Sequence, residues 1–520
     1  MVDARARAPR RTPARPSSRG STLAFAGALG AALLAGWSAW TYVTSVRRLL
    51  LVYPAPWPDE ALFADVAIRW LRHGVFGTDL YREFLPGIDA HYFLTPPLYS
   101  VLLAGVFAVA GVGLVPLRLA SVAAGLGAAA ALYGMARRTG LARWAALVPP
   151  SLLALDAVFL RGSLIGRMDA LTLALVLAAF WLALDPAEES AGAGRGARLR
   201  WGLLGLVAGA AIVSHPLGLL ALAALLRWVP GLALPRAGPG AHATARGATP
   251  LPLFAVGVGI ALLPWAVYAM LDPHNFATQM GQQLLRKSRP DFLGVCLPMH
   301  LRQWGVGGAW VAAALVAGLA GLSIAALRNR ALRWLVIAQA VLLTVTLTSC
   351  EQWYGFYTLP LTFLGLVHGA RGTASRGATA WAVRVIFVVI AGGFTLLNVS
   401  RVAALRAHAF EFDYSRWCHA TEAAVPPGST VLMESIPTPY FGLLGRSDLK
   451  LRLYPPRGFD VPVSVLEQGL DRVEVVIVGR ASENAVVRQR IERGQVLAEI
   501  GPEQGLVYPA AIVRIRPGAR

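Results

Sequence analysis

The chain has 520 residues, 56% of them hydrophobic and 15% charged, with a net charge of +20. Its mean hydropathy of +0.55 is more than one soluble core can hide, so composition points to a polytopic membrane protein. The basic excess lies in arginine clusters between apolar runs, as in loops held on the cytoplasmic side, and nucleic acid is a poor reading of the charge. Cys296, Cys350 and Cys418 form no C-x-x-C pair. They leave room for one bridge and fix no redox compartment.

Residues 1–21 carry Arg5, Arg7, Arg10, Arg11, Arg15 and Arg19 and read as a basic cytoplasmic tail. The apolar run from about Ser21 to Ser45 is long enough, at about 1.5 Å per residue, to cross a hydrocarbon core of roughly 30 Å. It is too long for a signal-peptide core, so an uncleaved first span is expected. The loop that follows, 45–97, carries Asp59, Glu60, Asp65, Asp79, Glu83 and Asp89, a balance that suits the outer side.

The next apolar run, 97–113, is short and starts at a double proline, Pro96 and Pro97. It is expected to lie in the interface or re-enter rather than span. Spans then fall near 115–136, 144–161, 170–184, 201–214, 216–229, 251–270, 303–326, 332–349, 355–369 and 379–399, about 11 with the first. This choice makes every inner connection basic, for example Arg137, Arg138 and Arg143, or Arg328, Arg330 and Arg333. The outer segment 272–302 also carries four basic residues, and the pair of helices around Ser214, His215 and Pro216 has a single broken helix as its alternative.

Beyond Arg401 the runs shorten and alternate, as in VLM at 431–433 and VEVVIVG at 473–479. That pattern predicts a small C-terminal α/β domain, 401–520, outside the membrane, after a transmembrane domain spanning 22–400.

This topology gathers ionisable groups on the outer face: Asp59 and Glu60, the Arg167-Met168-Asp169 turn, His215, the 272–302 segment and EQWYGFY at 351–357. Such groups at membrane depth are costly and mark substrate paths. In PWPDEALFADVAIRWLRHGVF (56–76), Pro58 suits a first helical turn and the two carboxylates complement the helix dipole. Phe63, Val66, Ala67, Trp70 and Leu71 share one face, which reads as an amphipathic helix lying in the interface. Taken alone, the Asp-Glu pair is a helix cap more often than a site, and Asp169 beside Arg167 is a cap with its counter-ion.

The order of motifs changes that weighting. An Asp-Glu pair after the first span, a helix ending in HGVF, then HYFLTPPLYS, a short glycine-broken helix and VPLRLASVAAGL together resemble the polytopic GT-C glycosyltransferases. The likeness is to the branch of the protein O-mannosyltransferases and lipid A aminoarabinose transferases. It is strongest over 55–175, weaker to about 365, and does not cover the C-terminal domain. It implies an all-α GT-C-like membrane fold with periplasmic amphipathic helices, placed in a bacterial-type inner membrane with the site outside.

The same resemblance implies a polyprenyl-phosphate sugar donor and a glycan, lipid or protein acceptor, with Asp59 as the catalytic base and Glu60 its neighbour. It also puts Asp169 in the site, and it aligns Tyr357 of EQWYGFYTLPL with a tyrosine that contacts the lipid phosphate. Some members use a divalent cation near the acidic pair, which would fall to Asp59 and Asp169. The chemistry is coherent: a carboxylate takes the proton of a poor hydroxyl nucleophile, and the phosphate leaving group needs positive charge rather than an acid. Attack opposite the phosphate predicts inversion.

Two departures stand out. Leu94 and Thr95 occupy the places of a Glu-Lys pair before the proline, and Trp353 replaces a late lysine. Arg82, Arg167, Arg286, Lys287 and Arg289 are the alternatives for the missing phosphate contact. His215 and His274 are cavity candidates, with a structural reading at least as strong for His215 and stronger for His274. Cys296 with His300, and Cys418 with His419, supply too few ligands for zinc. The rival to an enzyme is a transporter or flippase of a lipid-linked substrate.

Overall fold

A computed structural model describes residues 18–184, 195–228, 251–287, 294, 296, 298–300, 307–349, 354–371, 377–408, 412–455, 459, 461–479, 485–501 and 510–515. Helices α1 (Ser18–Leu49), α2 (Pro58–His73), α3 (Leu98–Ala110) and α4 (Leu114–Arg138) open the chain. They are followed by α5 (Val148–Ala154), α6 (Ala157–Leu164), α7 (Asp169–Ala183), α8 (Arg195–Ser214), a 3-10 helix (Pro216–Trp228), α9 (Leu251–Leu271) and α10 (Pro273–Lys287). The last membrane-domain helices are α11 (Gly308–Arg328), α12 (Arg333–Thr348), α13 (Gly355–Ala370) and α14 (Ala378–His408).

Among the described residues, α4, α9, α11 and α14 are each long and apolar enough to cross a bilayer. The segment 145–164 does so as a pair bent by 67°. The bend has a local cause: Asp156 leaves helical geometry, and its Oδ1 caps the amides of Val158 and Phe159 at 2.8 and 2.9 Å, starting α6 afresh. Helices α3, α7 and α12 and the 3-10 helix are shorter apolar elements. The 13 residues of α3 give a length of about 20 Å, short of the roughly 30 Å of a hydrocarbon core. Between α8 and the 3-10 helix the chain turns at His215 and folds back, with Gly218 close against Ala211.

Helix α13, which carries Tyr357, is seated by small residues. A Cβ at Gly321 of α11 would come within 1.9 Å of the Gly365 carbonyl oxygen. Only glycine lets the two backbones approach this closely, the usual device where lipid gives no hydrophobic drive.

The C-terminal part holds a five-stranded sheet in the order β2-β1-β3-β5-β4. Its strands are β1 (Thr430–Glu434), β2 (Lys450–Leu453), β3 (Val475–Val478), β4 (Gln495–Ile500) and β5 (Ala510–Arg514). Strand β1 pairs parallel with β2 and β3, whereas β5 runs antiparallel to β3 and β4. The period of two sorts its side chains. Leu432, Val476, Val478 and Val513 face α17 (Val463–Leu470) and α18 (Ala485–Glu492), together with Phe84 from the long loop. Val431, Met433, Val475, Ile477 and Ile512 face α15 (Tyr414–Ala424), α16 (Tyr440–Leu443) and α2.

That second core corrects the expected interfacial role of α2. Leu62, Phe63, Val66 and Ala67 are buried in protein, in one cluster with Trp417 and Tyr440; of the apolar face, Trp70 and Leu71 at the far end are exposed. Sequence periodicity finds the apolar face but not what covers it. The helix ends at Gly74, whose φ of 69° is the left-handed cap that favours glycine.

Candidate active site

The site is built where the start of α2 meets the turn before α7. Glu60 is fully buried and accepts four hydrogen bonds. Arg118 Nε reaches Oε1 and Arg118 Nη2 reaches Oε2, both at 2.8 Å. The Gly166 amide donates to Oε1 at 2.8 Å, and the Trp57 amide to Oε2 at 2.9 Å. Arg118, itself fully buried, also donates to the carbonyls of Leu50 and Pro54 at 2.8 Å each. Buried ion pairs hold only when their remaining donors and acceptors are met in this way. One pair thereby ties together the end of α1, the start of α2, helix α4 and the 165–168 turn.

Asp59, the preceding residue, points elsewhere. Its side chain is 32% exposed, and its Oδ2 lies 3.0 Å from Arg167 Nη1. Arg167 in turn sets its Nε 3.2 Å from Asp169 Oδ2. Tyr357 on α13 donates its hydroxyl to Asp169 Oδ1 at 3.2 Å. Asp59, Arg167, Asp169 and Tyr357 therefore form one connected polar line, drawn from three separate parts of the chain. Beside it lies a small cleft lined by Trp57, Arg161, Ile165, Arg167, Asp169 and Phe356.

The other sequence candidates divide. His215 stands one aromatic step away: its ring is 6.0 Å from Tyr354, which is 6.0 Å from Tyr357. Its Nδ1 accepts from the Leu217 amide at 3.0 Å, a turn contact. Arg82 is not in the site; it pairs with Asp89 at 3.3 Å and Asp79 at 3.7 Å in the long loop. His274 is exposed on α10, outside the cleft. The side chains of Arg286 and Lys287, and residues Arg289 and Trp353, lie outside those described. Cys296 is disulfide-bonded, and Cys418 is a buried free thiol.

A divalent cation between Asp59 and Asp169 does not fit this arrangement. The Arg167 guanidinium occupies the space between the two carboxylates and contacts both. Among the described residues no group of three or more His, Cys, Asp or Glu is placed to hold a metal ion.

Sequence reading missed Arg161, Trp57, Phe356 and Arg118. Arg161 lines the cleft beside Arg167; its position eight residues before Asp169, at the inner turn of a broken helix, carries no spacing signal. Arg118 was visible within VPLRLASVAAGL as a charge in an apolar helix, the kind of residue that demands a partner.

Bent helices packed around a buried acidic-basic centre, with an α/β portion seated on the loop that carries the carboxylates, give a fold similar to that of polytopic GT-C glycosyltransferases of known structure. Residues 95–236 match the family described as dolichyl-phosphate-mannose-protein mannosyltransferase. The chain is similar to the crystal structures of ArnT from Cupriavidus metallidurans. With the apo form it shares 16% identity at a TM-score of 0.58, and with the form bound to undecaprenyl phosphate 14% at 0.55. Both matches cover 96% of this chain and 98% of the other. The Archaeoglobus fulgidus oligosaccharyltransferase, in complex with Zn and sulfate, is similar at 12% identity and a TM-score of 0.51, over 85% of this chain and 67% of that one. Comparison with curated proteins finds no match. The resemblance read from the motifs holds, as does the all-α fold class with a small C-terminal sheet, and the proteins it resembles are glycosyltransferases.

Proposed function

We propose that this protein transfers a monosaccharide from a polyprenyl-phosphate carrier to an acceptor hydroxyl at the outer face of a bacterial-type inner membrane, with inversion and with Asp59 as general base. The observation that carries the reading is the line from Asp59 through Arg167 and Asp169 to Tyr357. It joins the motif residues that the sequence holds far apart and borders a cleft with two arginines. That a similar structure is of ArnT bound to undecaprenyl phosphate supports the donor class.

Each side chain then has a task. Asp59, partly exposed, takes the acceptor proton as the hydroxyl attacks the anomeric carbon. The sugar–phosphate bond breaks on the opposite face, and the charge left on the lipid phosphate falls to Arg161 and Arg167, the cations of the cleft. These two take the place of the lysine absent before Pro96. Asp169 and Tyr357 hold Arg167 from its other side. Glu60, with both oxygens consumed by Arg118 and backbone amides, positions Asp59 and touches no substrate.

Vesicles carrying the full chain and a labelled lipid-phosphate sugar test the reading. Asp59→Asn lowers transfer at least about 100-fold, the usual scale for removing a general base, with thermal stability retained. Full transfer by Asp59→Asn would remove the proposal's basis. Release of free lipid phosphate by the unaltered protein separates it from a transporter, which leaves the bond intact.

A further inference from the structure

The helix that carries Asp59 is held from two sides. The membrane domain grips it through Arg118, which bonds Glu60 and, at 2.8 Å, the Pro54 carbonyl. The C-terminal part grips it as well. The Thr438 amide donates to the Pro56 carbonyl at 2.8 Å, three residues before Asp59, and the Tyr440 hydroxyl donates to Asp65 Oδ1 at 3.0 Å, six residues after it. Six residues of α-helix advance about 9 Å and leave a net turn of about 240°. Two contacts so placed fix both the depth of α2 along its axis and its rotation about that axis.

Both contacts come from one short stretch, residues 435–440, between β1 and the start of α16. Pro437 and Pro439 flank Thr438 and restrict the backbone there. The Thr438 carbonyl accepts the Tyr414 hydroxyl of α15 at 2.8 Å, and the Ser435 hydroxyl donates to the Pro437 carbonyl at 2.9 Å. Thr438 has no exposed surface and Tyr440 is 1% exposed. The stretch is a fixed part of the C-terminal core, so its contacts transmit the place of that core to α2.

Packing alone does not call for these polar groups. The Tyr440 ring lies in the apolar cluster with Phe63, Val66 and Trp417 and meets Phe441 edge-on at 5.2 Å, contacts that a phenylalanine would keep. What the hydroxyl adds is the bond to Asp65. That carboxylate also accepts from the Thr78 hydroxyl at 2.6 Å and the Asp79 amide at 3.2 Å, so α2, the long loop and the C-terminal part meet at one point. Hydrogen bonds to an ionised acceptor are the stronger kind and hold a geometry firmly.

We propose that Tyr440 and the Thr438 amide are positioning groups for Asp59: through the 435–440 stretch the C-terminal part sets the depth and rotation of α2, and so the place of the Asp59 carboxylate against Arg167. This rests on the transferase reading above. The first test uses the full chain in nanodiscs with a labelled lipid-phosphate sugar. Tyr440→Phe lowers kcat about tenfold, since small displacements of a reacting group are costly, and leaves donor KM within about twofold. Its unfolding temperature stays near that of the unaltered protein, because the ring still fills its place. Asp65→Asn acts in the same direction, and adding Tyr440→Phe to it has little further effect, as expected of two groups that act through one bond. An unchanged kcat in Tyr440→Phe, a rise in donor KM in place of the kcat loss, or additive effects of the two substitutions overturns the inference.

The second test does not depend on transfer. In Asp59→Cys the introduced thiol stands beside the Arg167 guanidinium, a setting that favours the thiolate, and its rate of alkylation by a water-soluble reagent is followed against pH, with the buried Cys418 as a slow background. Adding Tyr440→Phe moves the midpoint of that profile to higher pH as the thiol drifts from the guanidinium. An unmoved midpoint overturns the positioning role. If the midpoint is unmoved while Asp59→Asn abolishes transfer, the clamp falls alone. If the midpoint moves while Asp59→Asn transfers normally, the clamp on α2 stands and the transferase reading of Asp59 falls.

Discussion

Arg118 closes on Glu60 with two arms of its guanidinium, Nε to Oε1 and Nη2 to Oε2, each at 2.8 Å. Both side chains have no exposed surface. Removing one partner leaves a buried charge with no counterpart, which costs roughly 3–5 kcal/mol. Glu60→Ala is therefore expected to lower the unfolding temperature of the detergent-solubilised protein markedly. Glu60→Gln keeps the shape and part of the hydrogen bonding, and recovers part of the loss. An unchanged unfolding temperature in Glu60→Ala would show that the pair does not anchor the site.

Gly166 supplies a second check on the same anchor. A Cβ there would meet Leu117 Cδ2 at 1.5 Å and Glu60 Oε1 at 2.9 Å. Gly166→Ala forces a shift of the buried Leu117 side chain, of the Glu60 carboxylate or of the 165–168 turn that carries Arg167. Transfer activity should fall about tenfold or more, since small displacements of positioning groups are costly, while expression in the membrane persists. Activity at the level of the unaltered protein would contradict the close approach.

Arg161 and Tyr357 are distinguished by kinetics. Arg161 lines the cleft, so Arg161→Ala should raise KM for the lipid-phosphate donor and lower kcat, with acceptor KM little changed. Tyr357 acts through Asp169, and losing one such hydrogen bond costs about 0.5–1.5 kcal/mol. Tyr357→Phe should thus be milder, about threefold to tenfold in kcat/KM. The opposite ranking, with Tyr357→Phe the more damaging, would assign the phosphate to the tyrosine instead.

Glu83 sets a pH dependence for the seat of the C-terminal sheet on the long loop. Burial pushes its carboxyl up, but Arg472 and Arg452 together outweigh this and hold it below the ordinary glutamate range. A lowered pKa contributes stability above the unfolded value, near 4.5, and loses it as pH falls through the folded value. Acidification below about pH 4.5 should loosen this contact, seen as protease access to the 79–89 loop. Glu83→Gln should flatten that acid limb. An acid limb of unchanged steepness in Glu83→Gln would place the sensitivity elsewhere.

Cys418 gives a simple control on packing. Burial pushes its thiol up to about 11, so at neutral pH the reactive thiolate is scarce. Maleimide labelling of Cys418 should require unfolding, and rapid labelling of the folded protein would show the α15 core to be open.

Much of this was readable along the chain. Period and length place α4, α9, α11 and α14 as spans, because a helix facing lipid must satisfy its own backbone and be apolar over its length. The period of two places the strands at 430–434 and 475–478, and the motif order selects Asp59, Arg167, Asp169 and Tyr357, which the fold does bring together. What the sequence could not divide was the Asp-Glu pair itself. Adjacent residues on a helix point about 100° apart, so one faces Arg167 and its neighbour the interior, and only the arrival of Arg118 from α4 decides which. The same holds for α2, whose apolar face is plain in the sequence, yet whether lipid or the C-terminal sheet covers it depends on long-range packing. Local pattern reports what a segment must bury; the partner that buries it is chosen by the whole chain.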